Sequence, residues 1–427
     1  MALAPTHSPA VAAGTEAPAD LRWFVFILFF IFGGITSLND ILIPKLKGLF
    51  ELSHTESMLI QFAFFTAYLV VSVPAAMLVK RFGYMRSATI GLIAMTVGCL
   101  LFIPASLSGL FVGFLLALFV LAAGITTVQV VANPLISMLG RPETAHSRLT
   151  FAQAFNSLGT TVFPFVGARL ILDNLAEPSG EAANGAALVA FRAAETQTIV
   201  YTYLGLAAAL LIVALAVWTR RDRLVPVEYE RANFFRAFNL LARPRFALGA
   251  LGIFLYVGAE VAIGSLLVSY LVQSDILAIG ERQAGELVAF YWGGAMVGRF
   301  IGAALLRRFT PSMVLAAVAI GASMLLVISS LSTGSVAGWS LLLVGLMNSI
   351  MFPTIFSLAC EGLGDRTPDG SGLLCVAIVG GAVVPLLVGA VADQASIAAA
   401  LLIPVACYLG ILTFAAYCRR HPVLATG

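Results

Sequence analysis

Charge is the scarcest thing in this sequence. Asp, Glu, Lys and Arg supply only 11% of its 427 residues, where a soluble domain carries roughly 25%. So few charges cannot cover the surface of so long a chain in water, which excludes an ordinary soluble globular protein. A formal net charge of +3, with no basic run interleaved with aromatics, excludes a nucleic-acid partner. Histidine is scarce too. His7, His54, His146 and His421 pair with neither cysteine nor a second histidine at ligand spacing, so no metal is expected. Cys99, Cys360, Cys375, Cys407 and Cys418 are odd in number, far apart and mostly inside apolar runs. They read as small buried hydrophobes. No HExxH, GxSxG or GxxxxGKS/T pattern occurs, so neither an enzyme nor a cofactor is expected.

What is present is apolar. The chain is 60% hydrophobic with a mean hydropathy of +1.00, and lipid is the solvent such a composition needs. Residues 1–21, rich in Ala and Pro and without a basic start, are expected to form a disordered tail, not a signal peptide. Apolar runs long enough to cross a bilayer as helix follow at roughly 23–44, 58–79, 87–106, 109–139, 149–172, 197–219, 246–272, 284–306, 311–331, 336–359, 371–392 and 397–418. The expected fold is an all-α membrane protein of twelve transmembrane helices in two pseudo-symmetric six-helix bundles. The bundles are 22–219 and 246–418, joined by a linker at 220–245 and followed by a tail at 419–427.

The linker is the most charged stretch, with Arg220, Arg221, Asp222, Arg223, Glu228 and Glu230 in its first half. With the N-terminus inside, about 18 of the 24 Lys and Arg fall on cytoplasmic segments and about four outside. Both termini are therefore expected in the cytoplasm. The outside loop at about 173–196 leans acidic. The halves echo each other weakly: AAMLVKRFGYMRSATI after the second span matches GAALLRRFTPSMVLA after the eighth. Pro164 and Pro385 sit mid-span in the fifth and eleventh. Gly294, Gly298 and Gly302, spaced by four, predict a close helix approach.

In lipid the informative residue is the polar one. A carboxylate at a helix centre costs about 2.5–3.5 kcal/mol on insertion scales, so it needs a partner or a wet cavity. Asp40 lies about 17 residues, some 25 Å, into the first span. Asn39 precedes it, and Gly33, Gly34 and Pro44 give that helix weak points. Asp40 reads either as a cavity-facing carboxylate or as the interfacial end of the helix. Gln129 and Asn133 share one face of the fourth span, Gln153 and Asn156 one face of the fifth. Carboxamides offer donor and acceptor together, which suits sugar hydroxyls; interhelical bonding is the other reading. The second half contributes Glu260, Tyr291, Trp292, Asn348 and Phe352. An aromatic face suits the C–H face of a pyranose, although aromatics also simply pack. Arg299, Glu361 and Asp393 are expected nearer helix ends, in salt bridges or gates.

The stretches LNDILIPKLKGLF, VQVVANPLISMLGRPETAHSRL, AQAFNSLGTT, FLYVGAEVAIGS, VAFYWGGAMVGRFIGAALL, NSIMFPTIFSLACEGLG and SGLLCVAIVGGAVVPLL resemble the fucose permease and glucose–galactose branch of the major facilitator superfamily. The resemblance implies a sugar site between two halves and alternating access. The position of Asp40 is the one linked to proton coupling in the fucose-permease type. Gln129 stands where that type has a second acid, and Phe352 where it has a Tyr; Gln129 is similar to the glucose–galactose branch. Lys80, at the loop after the second span, also resembles this branch. The expected function is proton-coupled import of a glucose- or galactose-type hexose across the inner membrane. Carriage of L-fucose or another monosaccharide, uniport and sodium coupling are the alternatives. Asp40 is the expected proton-coupling residue. Asn39, Gln129, Asn133, Gln153, Asn156, Glu260, Tyr291, Trp292, Asn348 and Phe352 are the expected sugar contacts, in a functional monomer.

Overall fold

The computed structural model describes residues 21–34, 37, 54–108, 110–172, 186–222 and 234–423, and among these helix dominates and no strand occurs. The first six long helices are α1 (Leu21–Gly34), α2 (His54–Phe82), α3 (Tyr84–Ser108), α4 (Phe111–Met138), α5 (Ala145–Leu172) and α6 (Ala186–Trp218). After the short α7 (Phe234–Phe238) come α8 (Pro244–Leu271), α9 (Glu281–Leu305) and α10 (Pro311–Leu331). The last three spans are each assembled from two helices. These are α11 (Gly334–Asn348) with α12 (Met351–Cys360), α13 (Thr367–Val376) with α14 (Gly380–Gln394), and α15 (Ile397–Ala400) with α16 (Leu402–Arg420).

Ten stretches of the described residues are long and apolar enough to cross a membrane. With α1 and α5 they fill the twelve places read from the sequence. Pro244 and Pro311 open their helices at the first turn, where the missing N–H costs nothing. Pro74, Pro104, Pro134 and Pro385 lie inside helices, which membrane helices tolerate when neighbours satisfy the freed carbonyl. One boundary differs from expectation. The loop expected at 173–196 is helical from Ala186 onward, because AALVAFRAAET is rich in helix formers whatever its polarity.

The chain forms two compact units. One comprises Trp23–Ala132 and Phe155–Glu228, the other Met1–Arg22, Asn133–Ala154 and Tyr229–Gly427. In the first, α1 and α5 cross so closely that a methyl on Gly33 would collide with the Asn156 carbonyl, and one on Gly159 with the Phe30 carbonyl. The Gly33–Gly34 pair, read from sequence as a weak point, is therefore a packing surface: backbone meets backbone where no side chain intervenes. Phe102 of α3 stacks on Tyr203 of α6 at 4.0 Å.

In the second unit the α11–α12 span is the most enclosed of the described spans, whereas α9 is largely exposed. Gly298 and Gly302 of α9 face Ser349 and Ile350 with no room for a methyl, and Gly345 of α11 abuts the Tyr291 carbonyl. The glycine ladder read from the sequence thus seats α9 on the α11–α12 junction. Segment Asn133–Ala154 groups with these later helices for a physical reason. Ser147 Oγ donates to the Ala303 carbonyl at 2.7 Å, and His146 Nε2 lies 2.9 Å from Glu361 Oε1. Glu361 also pairs with Arg245, so it forms the helix-end salt bridge expected of it. Asp393 is exposed at the end of α14.

Candidate functional site

The second unit holds a buried polar network, and a proline explains its centre. Residue 353 is Pro, so it has no N–H to give the Ser349 carbonyl four residues earlier. The helix breaks there: α11 ends at Asn348 and α12 begins at Met351. A carbonyl orphaned at bilayer depth costs several kcal/mol unless another donor takes it, and Arg299 Nε of α9 does so at 3.2 Å. Arg299 Nη1 donates in addition to the Gln153 carbonyl of α5, at 3.2 Å. Sequence reasoning placed Arg299 near a helix end; the structure puts it at this junction. A cation inside an apolar run was itself the available signal.

One residue before Ser349, the carbonyl of Asn348 lies 3.2 Å from Tyr256 Oη of α8. The same hydroxyl lies 2.7 Å from Glu260 Oε1. The Asn348 side chain donates to Tyr291 Oη at 2.8 Å and accepts from Tyr408 Oη of α16 at 2.6 Å. Asn348, Tyr291 and Tyr408 are each 0% exposed. Asn348 and Tyr291, both expected sugar contacts, are fully buried and bonded to each other. Tyr256 and Tyr408 were missed. Tyr256 was legible as the residue four before Glu260, on one helix face; Tyr408 carried no sequence signal.

Glu260 is half-buried. One turn along α8 is Gly264, where the nearest atom to an added methyl is Trp292 Cζ2 at 3.3 Å. The indole therefore lies over a bare patch of α8 next to the carboxylate, held edge-on by Tyr291 with ring centroids 5.0 Å apart. Trp292 is 47% exposed. Phe352 is buried between Tyr256 and Phe356, with centroids 6.4 and 6.1 Å away.

The carboxamides divide. Gln153 Nε2 donates to Asn133 Oδ1 at 3.2 Å, an α4–α5 bond of the interhelical kind. Asn133 Nδ2 is buried with no partner among the described residues. In the other unit, Asn156 Nδ2 donates to the Phe29 carbonyl of α1 at 3.2 Å, while Gln129 Oε1 is buried without a partner among the described residues. Unpaired buried donors and acceptors are rare and mark places where a ligand or water completes the bonding. Asn39 and Asp40 lie outside the described residues. No group of His, Cys, Asp or Glu suited to a metal ion occurs among the described residues.

A span broken at a proline, its freed carbonyl tied to a neighbouring helix, and the ionisable Glu260 and Arg299 set within apolar spans fit an α-helical transport fold. The Major Facilitator Superfamily model matches residues 25–377, and the chain belongs to that family. Over 382 residues, 90% of each chain, it is 50% identical to the glucose/galactose transporter of Brucella abortus. It is 34% identical over 403 residues to the L-fucose-proton symporter of Escherichia coli, covering 91% of both. The crystal structure of the transporter FucP in its outward conformation matches with a TM-score of 0.86 at 32% identity, covering 93% of this chain and 98% of that one.

Proposed function

We propose that the protein imports a hexose of the glucose/galactose type, coupled to protons, by alternating access. The observation that carries the reading is the half-open Trp292 indole over Gly264, one helical turn from Glu260. An aromatic face takes the apolar C–H face of a pyranose while a carboxylate accepts two of its hydroxyls. Within the same unit, the buried Asn133 Nδ2, without a partner among the described residues, supports a further donor. The 50% identical relative named for glucose and galactose favours these sugars over L-fucose.

In this reading Trp292 and Glu260 contact the sugar, together with Gln129, Asn133, Gln153, Asn156 and Asn39. Asn348, Tyr291 and Phe352 hold the site's shape. Asp40 loads and releases the proton. The protein works as a monomer in the inner membrane with both termini cytoplasmic, the side its cationic residues favour. Gln129, standing where the fucose type has a second acid, favours sodium coupling or uniport as the rival reading. A substrate panel tests the proposal. Purified protein in vesicles should take up radiolabelled glucose and galactose, each blocked by the other unlabelled sugar, and should ignore L-fucose. Preference for L-fucose, or sugar binding without flux, would remove it.

A further inference from the structure

The network contains a donor with two acceptors. Tyr256 carries one phenolic proton, yet its oxygen lies 2.7 Å from Glu260 Oε1 and 3.2 Å from the Asn348 carbonyl. It can serve only one at a time. Which one it serves depends on Glu260. An ionised carboxylate is the stronger acceptor and holds the phenol proton, leaving the Asn348 carbonyl without it. A protonated Glu260 can donate its own proton to the phenol oxygen. The phenol proton then turns to the Asn348 carbonyl. No covalent bond changes except the one O–H formed on Glu260, and Tyr256 keeps its proton throughout.

We propose that Tyr256 is a positioning residue that reports the protonation state of Glu260 to the break between α11 and α12. This rests on the proton-coupled carrier reading above. The break is the place where such a signal has leverage. Asn348 is clamped through its side chain by Tyr291 and Tyr408. The next carbonyl, Ser349, is held by Arg299, which also bonds segment Asn133–Ala154 through the Gln153 carbonyl. Gaining or losing the Tyr256 bond therefore changes the restraint on a junction that already ties four helices together. Among the described residues, the charged and titratable groups that interact with Glu260 are Arg299 and Tyr291 from α9, Tyr408 from α16, and Tyr256 from α8 itself. Protonating Glu260 also removes a counter-charge from Arg299.

Counterflow of labelled galactose, with equal pH on both sides of the vesicle membrane, tests this. For the parent the exchange rate should change about 3–10-fold between acidic and mildly alkaline pH, the span one modest hydrogen bond supplies. Tyr256→Phe keeps the ring against Phe352 and should flatten that profile while the sugar KM stays within about twofold. Glu260→Gln, whose amide mimics the protonated donor, should also be flat, and the double variant should show no further change. Tyr256→Met, lacking ring and hydroxyl, should be equally flat and serves if the Phe variant reconstitutes poorly. A Tyr256→Phe profile as steep as the parent's overturns the proposal. So does a flat profile accompanied by a large rise in KM, which would make Tyr256 a sugar contact. Absence of counterflow in the parent removes the carrier reading, and this inference with it.

Discussion

Replacing Asn348 by Leu isolates what the buried network contributes. The leucine is close in volume and keeps the packing of a residue that is 0% exposed. Two bonds vanish, at 2.8 Å to Tyr291 and 2.6 Å from Tyr408. Both hydroxyls are left in a dry interior. In water-soluble proteins an orphaned buried group costs about 1–3 kcal/mol. Within a bilayer the unfolded helices also find partners, which lowers an interhelical bond to about 0.6 kcal/mol on average and about 1.7 at most. The second figure governs here, so two bonds amount to about 1–3 kcal/mol. For a unit of roughly 200 residues each kcal/mol lowers Tm by about 2–4 °C, so a drop of about 2–12 °C is expected. Cys99, Cys375, Cys407 and Cys418 are buried free thiols, and a thiol-reactive fluorophore reads their exposure during a thermal ramp. The triple variant Asn348→Leu, Tyr291→Phe, Tyr408→Phe removes the orphans as well and should recover most of the loss. If the triple variant melts as low as the single one, the cost lies in packing and the hydrogen-bond argument is refuted.

Pro353→Ala restores an N–H that can reach the Ser349 carbonyl and compete with Arg299. It should leave thermal stability equal or higher while slowing galactose uptake several-fold, since the junction would close into continuous helix; unchanged uptake counts against a working break. Trp292→Ala should raise the sugar KM about tenfold with little change in maximal rate, the pattern of lost uniform binding, and Trp292→Phe should recover most of it. A KM unmoved by the alanine would put the indole outside the site.

The fold was legible because lipid leaves a strong imprint: apolar runs of about 20 residues, separated by charge, are hard to misread. What the runs do not encode is where a span breaks. The α11–α12 break needed the knowledge that Arg299 is close enough to take the carbonyl Pro353 frees, a contact about fifty positions away in sequence. The site was legible as a list of costly polar residues, but not in their division of labour. Asn348 and Trp292 look alike as candidates along the chain. One is sealed by two tyrosines and the other is half-open over Gly264. Gly264, a residue without a side chain to notice, makes room for the indole. The bonds that bring Asn133–Ala154 to the later helices likewise join positions remote in the chain.

The most direct test follows protons and sugar together. Galactose is added to de-energised, lightly buffered vesicles while a pH electrode records the medium. Co-transport predicts an immediate alkalinisation that scales with sugar entry, persists without sodium and disappears in Asp40→Asn even though exchange continues. Sugar entering with no movement of the pH trace, or only when sodium is supplied, contradicts the account.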